Sequence, residues 1–172
     1  MNTELTNSPA LVPQAPPRSR RFAAMMYEGV LLFGPVFVAD YAFDSLTQSR
    51  SGLTLLSVRQ IFLFIIIGLY FTICWKRSGQ TLPMKAWNIR LVSDTGGPLS
   101  TAKMLLRYGL LWVLPLITFL MIKGLFYLTG WPGILILFVV APFTNLIPTW
   151  FTQGQQFLHD RFAGTALIEV NR

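Results

Sequence analysis

The sequence predicts an all-α, polytopic membrane protein: a four-transmembrane-helix bundle with N- and C-termini cytoplasmic and a small cytoplasmic hairpin between helices 2 and 3. Three observations carry this. Only 12% of the 172 residues are charged and 53% are apolar, about half the ~25% charge usual in soluble domains. The apolar residues gather into four runs, each near the ~20 residues needed to cross ~30 Å of hydrocarbon. Most basic residues fall on one side of the topology those runs define.

Residues 1–17 are expected to form a disordered cytoplasmic tail. They hold Glu4, no early basic cluster, and Pro9, Pro13, Pro16 and Pro17, unlike a cleavable signal. Residues 18–172 read as one membrane domain with helices at about 21–43, 55–76, 103–123 and 131–151. The first run follows Arg18, Arg20 and Arg21 and ends at Asp40 and Asp44; the second ends at Lys76 and Arg77. Lys103 and Lys123 bracket the third. A β-barrel is excluded, because continuous apolar stretches such as 61–69 lack polar alternation.

With the N-terminus inside, Arg18, Arg20, Arg21, Lys76, Arg77, Lys85, Arg90, Lys103, Arg107, Arg161 and Arg172 lie at or within the inner boundary. Only Arg50, Arg59 and Lys123 lie outside, a strong positive-inside bias. The net charge of +7 is therefore a topology signal and an attraction to anionic lipid, not a nucleic-acid footprint.

Between the second and third runs, residues 87–92 alternate like a strand and Asp94-Thr95-Gly96-Gly97-Pro98 is a turn. A W-x-x-x-G-Q pattern occurs twice, at Trp75 with Gly79 and Gln80, and at Trp150 with Gly154 and Gln155. It marks either two parallel helical-hairpin halves or two similar membrane exits.

Ionisable groups at membrane depth usually face a bundle interior. Glu28 lies seven residues after Arg21 on nearly the same helix face, roughly 10 Å deeper. Arg107, four residues past Lys103, and Asn145, six before Phe151, reach a similar layer, as do Tyr70 and Thr72. A buried carboxylate must be paired or protonated, which makes Arg107 the expected partner of Glu28, with Asn145 adding neutral hydrogen bonds. Two readings stay open: a proton or cation site, or an ion pair that fixes helix packing. Pro142 and Pro148 flank Asn145 and remove backbone donors, as in the broken helices that line ion sites.

Cys74 is the only cysteine and His159 the only histidine, so neither a disulfide nor a His- or Cys-based metal centre is expected. Asp160 is expected either to bridge to Arg21 at the mouth of the first helix or to cap a helix. No nucleophile arrangement, P-loop or dinucleotide glycine pattern is present, so neither an enzyme nor a cofactor is expected.

Four ordered stretches resemble the RDD family. They are Arg21 through Glu28, Gly79-Gln80-Thr81-Leu82, Ile89-Arg90-Leu91-Val92 through Gly97-Pro98-Leu99-Ser100 to Leu106-Arg107, and Leu158-His159-Asp160-Arg161 through Gly164-Thr165. The resemblance makes Arg21 the family's arginine and Asp160 its second aspartate. Glu28 stands where the first aspartate is expected and keeps the carboxylate. Pro83 and Met84 replace the Gly-Lys that usually follows the second motif. It implies a small multi-pass protein of the plasma (inner) membrane, with proton-coupled transport of a monovalent cation at Glu28 as an expectation. A homo-oligomer is expected because four helices offer little interior for a path. The alternative is a non-transporting scaffold or assembly subunit of a larger complex, with an unknown protein partner.

Overall fold

The computed structural model describes residues 15–48, 55–152 and 155–170. The tail expected over 1–17 lies mostly outside them, as do Arg50, Gly154 and Arg172. The chain is mainly helical. Helix α1 spans Arg18–Thr47, α2 Leu56–Ser78 and the short α3 Leu82–Ala86. Strand β1, Ile89–Ser93, precedes α4, Thr101–Leu111, and α5, Val113–Thr129. Two 3-10 segments, Pro132–Val139 and Ala141–Trp150, lead to α6, Leu158–Phe162, and strand β2, Thr165–Glu169.

Among the described residues three helices are long and apolar enough to cross a membrane: α1, α2 and the continuous 101–129 stretch formed by α4 and α5. Only 6% of the apolar window in that last helix is buried, so its surface needs lipid or another chain around it. The fourth apolar run departs from the single helix expected at 131–151. It forms the two 3-10 segments, bent by 65°. Pro132, Pro142 and Pro148 lack N–H donors, which breaks the i→i−4 ladder. Tighter bonds replace it, such as Phe143 N–H to the Val140 carbonyl at 2.9 Å and Phe151 N–H to Pro148 at 3.0 Å. The bent pair is either one broken span or a re-entrant loop.

The expected hairpin between helices 2 and 3 is also corrected. Strand β1 does form, and the chain turns after it, but residues beyond the turn enter α4 with Ser100 accepting from the Lys103 N–H. The partner of β1 is β2, in an antiparallel pair that matches Ile89 with Glu169, Leu91 with Leu167 and Ser93 with Thr165. Alternation explains the choice. Ile89, Leu91 and Ser93 are buried on one face of β1, and Thr165 and Leu167 on the matching face of β2. The two segments that follow the repeated W-x-x-x-G-Q pattern therefore close on each other.

This sheet covers one end of the bundle, called the sheet end below. Ile89, Leu91 and Leu167 join Phe71, Trp75, Met104, Tyr108 and Phe157 in the main buried cluster. Arg20 of α1 ion-pairs with Glu169 of β2. At the opposite end Arg59 of α2 bonds Asp40 at 3.0 Å and also Asp44, both on α1.

Gly79 is where helix and sheet meet. It ends α2 at φ 68°, and its carbonyl accepts from the Leu91 N–H at 2.8 Å. A Cβ there would stand 2.8 Å from the Leu91 carbonyl oxygen, which is backbone and cannot swing aside. Gly79→Ala is expected to lower stability by about 2 kcal/mol, from the left-handed conformation plus this contact. The midpoint of heat-induced loss of monodisperse protein in detergent measures it, and an unchanged midpoint contradicts the account.

Candidate functional site

The sheet end gathers ionisable side chains from three helices, all of them buried except the half-buried Glu28. Arg21 and Glu28 come from α1, Arg107 from α4, and His159 and Asp160 from α6. Their neighbours in sequence explain their depth. Arg21 lies one turn inside α1, and Arg107 is on the face of α4 that also buries Met104 and Tyr108. The short α6 lies between the broken fourth run and β2, which carries His159 and Asp160 inward.

Asp160 is fully buried and accepts from Arg107 Nε at 2.5 Å. The Thr165 hydroxyl donates to the Asp160 backbone carbonyl at 3.2 Å and lies 3.4 Å from its carboxylate. Arg107 also lies 4.4 Å over the Trp75 ring, so both its charge and its flat face are engaged. His159 stacks on Phe157 with centroids 5.0 Å apart, and its Nε2 lies 3.6 Å from Asp160. Burial pushes the His159 ring down to about 4, with Arg107 acting in the same direction and the Asp160 carboxylate opposing them. The imidazole is thus neutral at pH 7.

Glu28 is held differently. It accepts from the Tyr70 hydroxyl at 2.8 Å and the Thr81 hydroxyl at 2.5 Å. Among the described residues it makes no ion pair. The expected Glu28–Arg107 pair is therefore replaced: Asp160 takes Arg107, because α4 packs directly on α6. Asn145 does not serve Glu28 either; its amide donates to the Leu111 carbonyl at 2.9 Å. The Arg21–Asp160 bridge also gives way. Arg21 donates to the Gln155 carbonyl at 2.5 Å and lies 5.0 Å over Phe157.

Arg21, Glu28, Arg107 and Asn145 nonetheless border one cavity of about 310 Å³, together with His159. Most of its wall is apolar, including Met25, Leu32, Ile67, Phe71 and Trp112, and β1 and β2 supply Ile89 and Leu167. No group of three or more His, Cys, Asp or Glu side chains suited to a metal occurs among the described residues.

The glycine-glutamine motifs act on the sheet. Gln80 donates to the Ile89 carbonyl at 2.6 Å. In the second copy it is Gln156, not Gln155, that docks a strand, bonding both the Leu167 carbonyl at 2.9 Å and its N–H at 3.0 Å. Gln155 instead offers its carbonyl to Arg21. Sequence reasoning passed over Gln156 and the Thr81 contact. Thr81 stood inside a quoted motif, two residues after the helix-ending Gly79, where a hydroxyl can turn back toward the bundle.

Apolar spans closed at one end by an ionic cluster and a small sheet define an integral membrane protein with a largely apolar cavity bordered by a few ionisable groups. The model of the RDD family matches residues 15–164, and the chain belongs to that family. Neither the curated proteins nor the solved structures contain a match.

Proposed function

We propose that this RDD protein is a proton-coupled transporter of the plasma membrane rather than an enzyme. In this reading a proton and a monovalent cation compete for Glu28. The broken fourth run counts as a span, and the sheet end faces the cytoplasm with both termini. The observation that carries the reading is the contrast between a buried carboxylate and a half-buried one. Asp160 is locked to Arg107, and removing its charge would strand a buried guanidinium. Glu28 is held only by the hydroxyls of Tyr70 and Thr81. Hydroxyls both donate and accept, so each can turn round when Glu28 gains a proton, and no buried cation is left without its partner.

The exposed apolar faces of α1 and α5 leave room for a homo-oligomer, which would lengthen the path beyond what four helices enclose. Purified protein in liposomes with an internal pH dye tests the reading. An imposed Na⁺ or K⁺ gradient is expected to drive proton movement, and Glu28→Gln is expected to reduce the rate at least tenfold. Wild-type flux in that variant would sink the mechanism. The alternative, a non-transporting scaffold, draws support from the fixed Arg107–Asp160 pair. It predicts a stoichiometric protein partner in mild detergent and normal assembly by Glu28→Gln.

A further inference from the structure

We infer that the cavity at the sheet end binds an amphipathic organic monoanion, its carboxylate on Arg21 and its apolar body among Met25, Leu32, Ile67 and Trp112. This goes beyond transport and does not rest on it, since equilibrium binding reveals the site whether or not protons move.

The inference starts from polar atoms without partners. Arg21 is 1% exposed and lines the cavity. Its Nη1 is spent on the Gln155 carbonyl, while Nε and Nη2 have no acceptor. Those two nitrogens form one edge of the guanidinium, the edge that matches a carboxylate's two oxygens. His159, 4% exposed, lacks a hydrogen-bond partner at both ring nitrogens, and the indole N–H groups of Trp75 and Trp112 are also unpartnered. All of these residues border the same cavity, with the bare nitrogens themselves covered just beneath its surface. The unpartnered acceptors among the cavity-lining residues are Asn145 Oδ1 and the bare ring nitrogen of the neutral His159. Asp160 Oδ2, just behind them, is another. Buried donors left bare are unfavourable, and here donors outnumber acceptors. A ligand that complements these groups is therefore an acceptor.

The formal charges cancel, and Arg21 and Glu28 are the cation and the anion that no ion pair holds among the described residues. Arg21 and Arg107 formally balance Glu28 and Asp160, with His159 neutral. Asp160 acts on Arg21 through space, yet its bonded oxygen belongs to Arg107. Arg21 is thus the cation of the cluster without an ion pair among the described residues. The wall sets the rest of the ligand. A volume of about 310 Å³ falls at the lower end of small-molecule sites, roughly 300–1,000 Å³. Its apolar lining favours a body of carbon over a hydrated inorganic ion.

Octanoate is the probe, measured by saturable change in tryptophan fluorescence of the full chain in detergent, with acetate and octanol as controls. Octanoate is expected to saturate the signal at concentrations at least tenfold below either control. Arg21→Gln should weaken it at least tenfold, and Ile67→Trp, which fills the apolar part, should do the same without touching a charge. Glu28→Gln, which removes a negative charge from the wall, should tighten it severalfold. It is the same change that stops proton flux in the transport reading, so the two proposals separate on one variant. Should Arg21→Gln fail to fold, the other two variants decide. Octanoate that binds no better than octanol, or that ignores both Ile67→Trp and Glu28→Gln, overturns the site.

Discussion

Asp160→Asn is expected to destabilise the folded protein by about 3–5 kcal/mol, the range for breaking one side of a buried ion pair. Asp160 is fully buried and its carboxylate receives Arg107 Nε at 2.5 Å. An amide in its place leaves Arg107 charged and buried, with a neutral amide oxygen and the Trp75 face in place of the carboxylate. Arg107→Met should cost a similar amount by exposing Asp160 to the opposite problem. The double change Arg107→Met with Asp160→Leu should recover a large part of either loss, because apolar groups of similar volume replace the pair. Recovery will be incomplete, since Arg21 then loses the nearby negative charge of Asp160. Denaturant titration in mixed micelles measures all three. A double variant no more stable than the worse single one refutes the pairing.

The second large effect is a dependence on pH through His159. Its folded-state value of about 4 lies below the ~6.5 of an unfolded histidine. Between these values the unfolded chain binds the proton and the folded one does not, so stability falls as the solution is acidified. The contribution is fully present above about pH 6.5 and drains away down to about pH 4, a span worth roughly 3 kcal/mol. His159→Phe keeps the stack on Phe157 and cannot take up a proton. Its melting temperature should fall less than that of the wild type between pH 7 and pH 4.5. Parallel curves for the two proteins would falsify the assignment.

Much of this was legible in the residues, and the boundary has a physical cause. The apolar runs betray the membrane helices because hydrocarbon imposes a length and excludes charge. Depth along a helix also follows from residue counting, which is why Arg21, Glu28, Arg107 and Asn145 do reach one cavity. Partner choice did not follow. Arg107 has two carboxylates within reach of its helix, and only the packing of α4 on α6 decides for Asp160. The strand at Ile89–Ser93 could be seen in its alternation, but not its mate, because an antiparallel partner can come from anywhere in the chain. The fourth run shows a third limit. Its prolines announce a break, yet whether the chain continues outward or folds back depends on neighbours the sequence does not display.

The β1–β2 pairing also constrains how the protein is made. Everything from α4 to α6 is translated between the two strands. Until β2 leaves the ribosome, the edge of β1 stays unzipped, and Leu91 has no Leu167 opposite it. Strand β2, made after all six helices described, is thus the latch of the assembly. A chain cut before β2 would keep those helices and leave β1 without its partner.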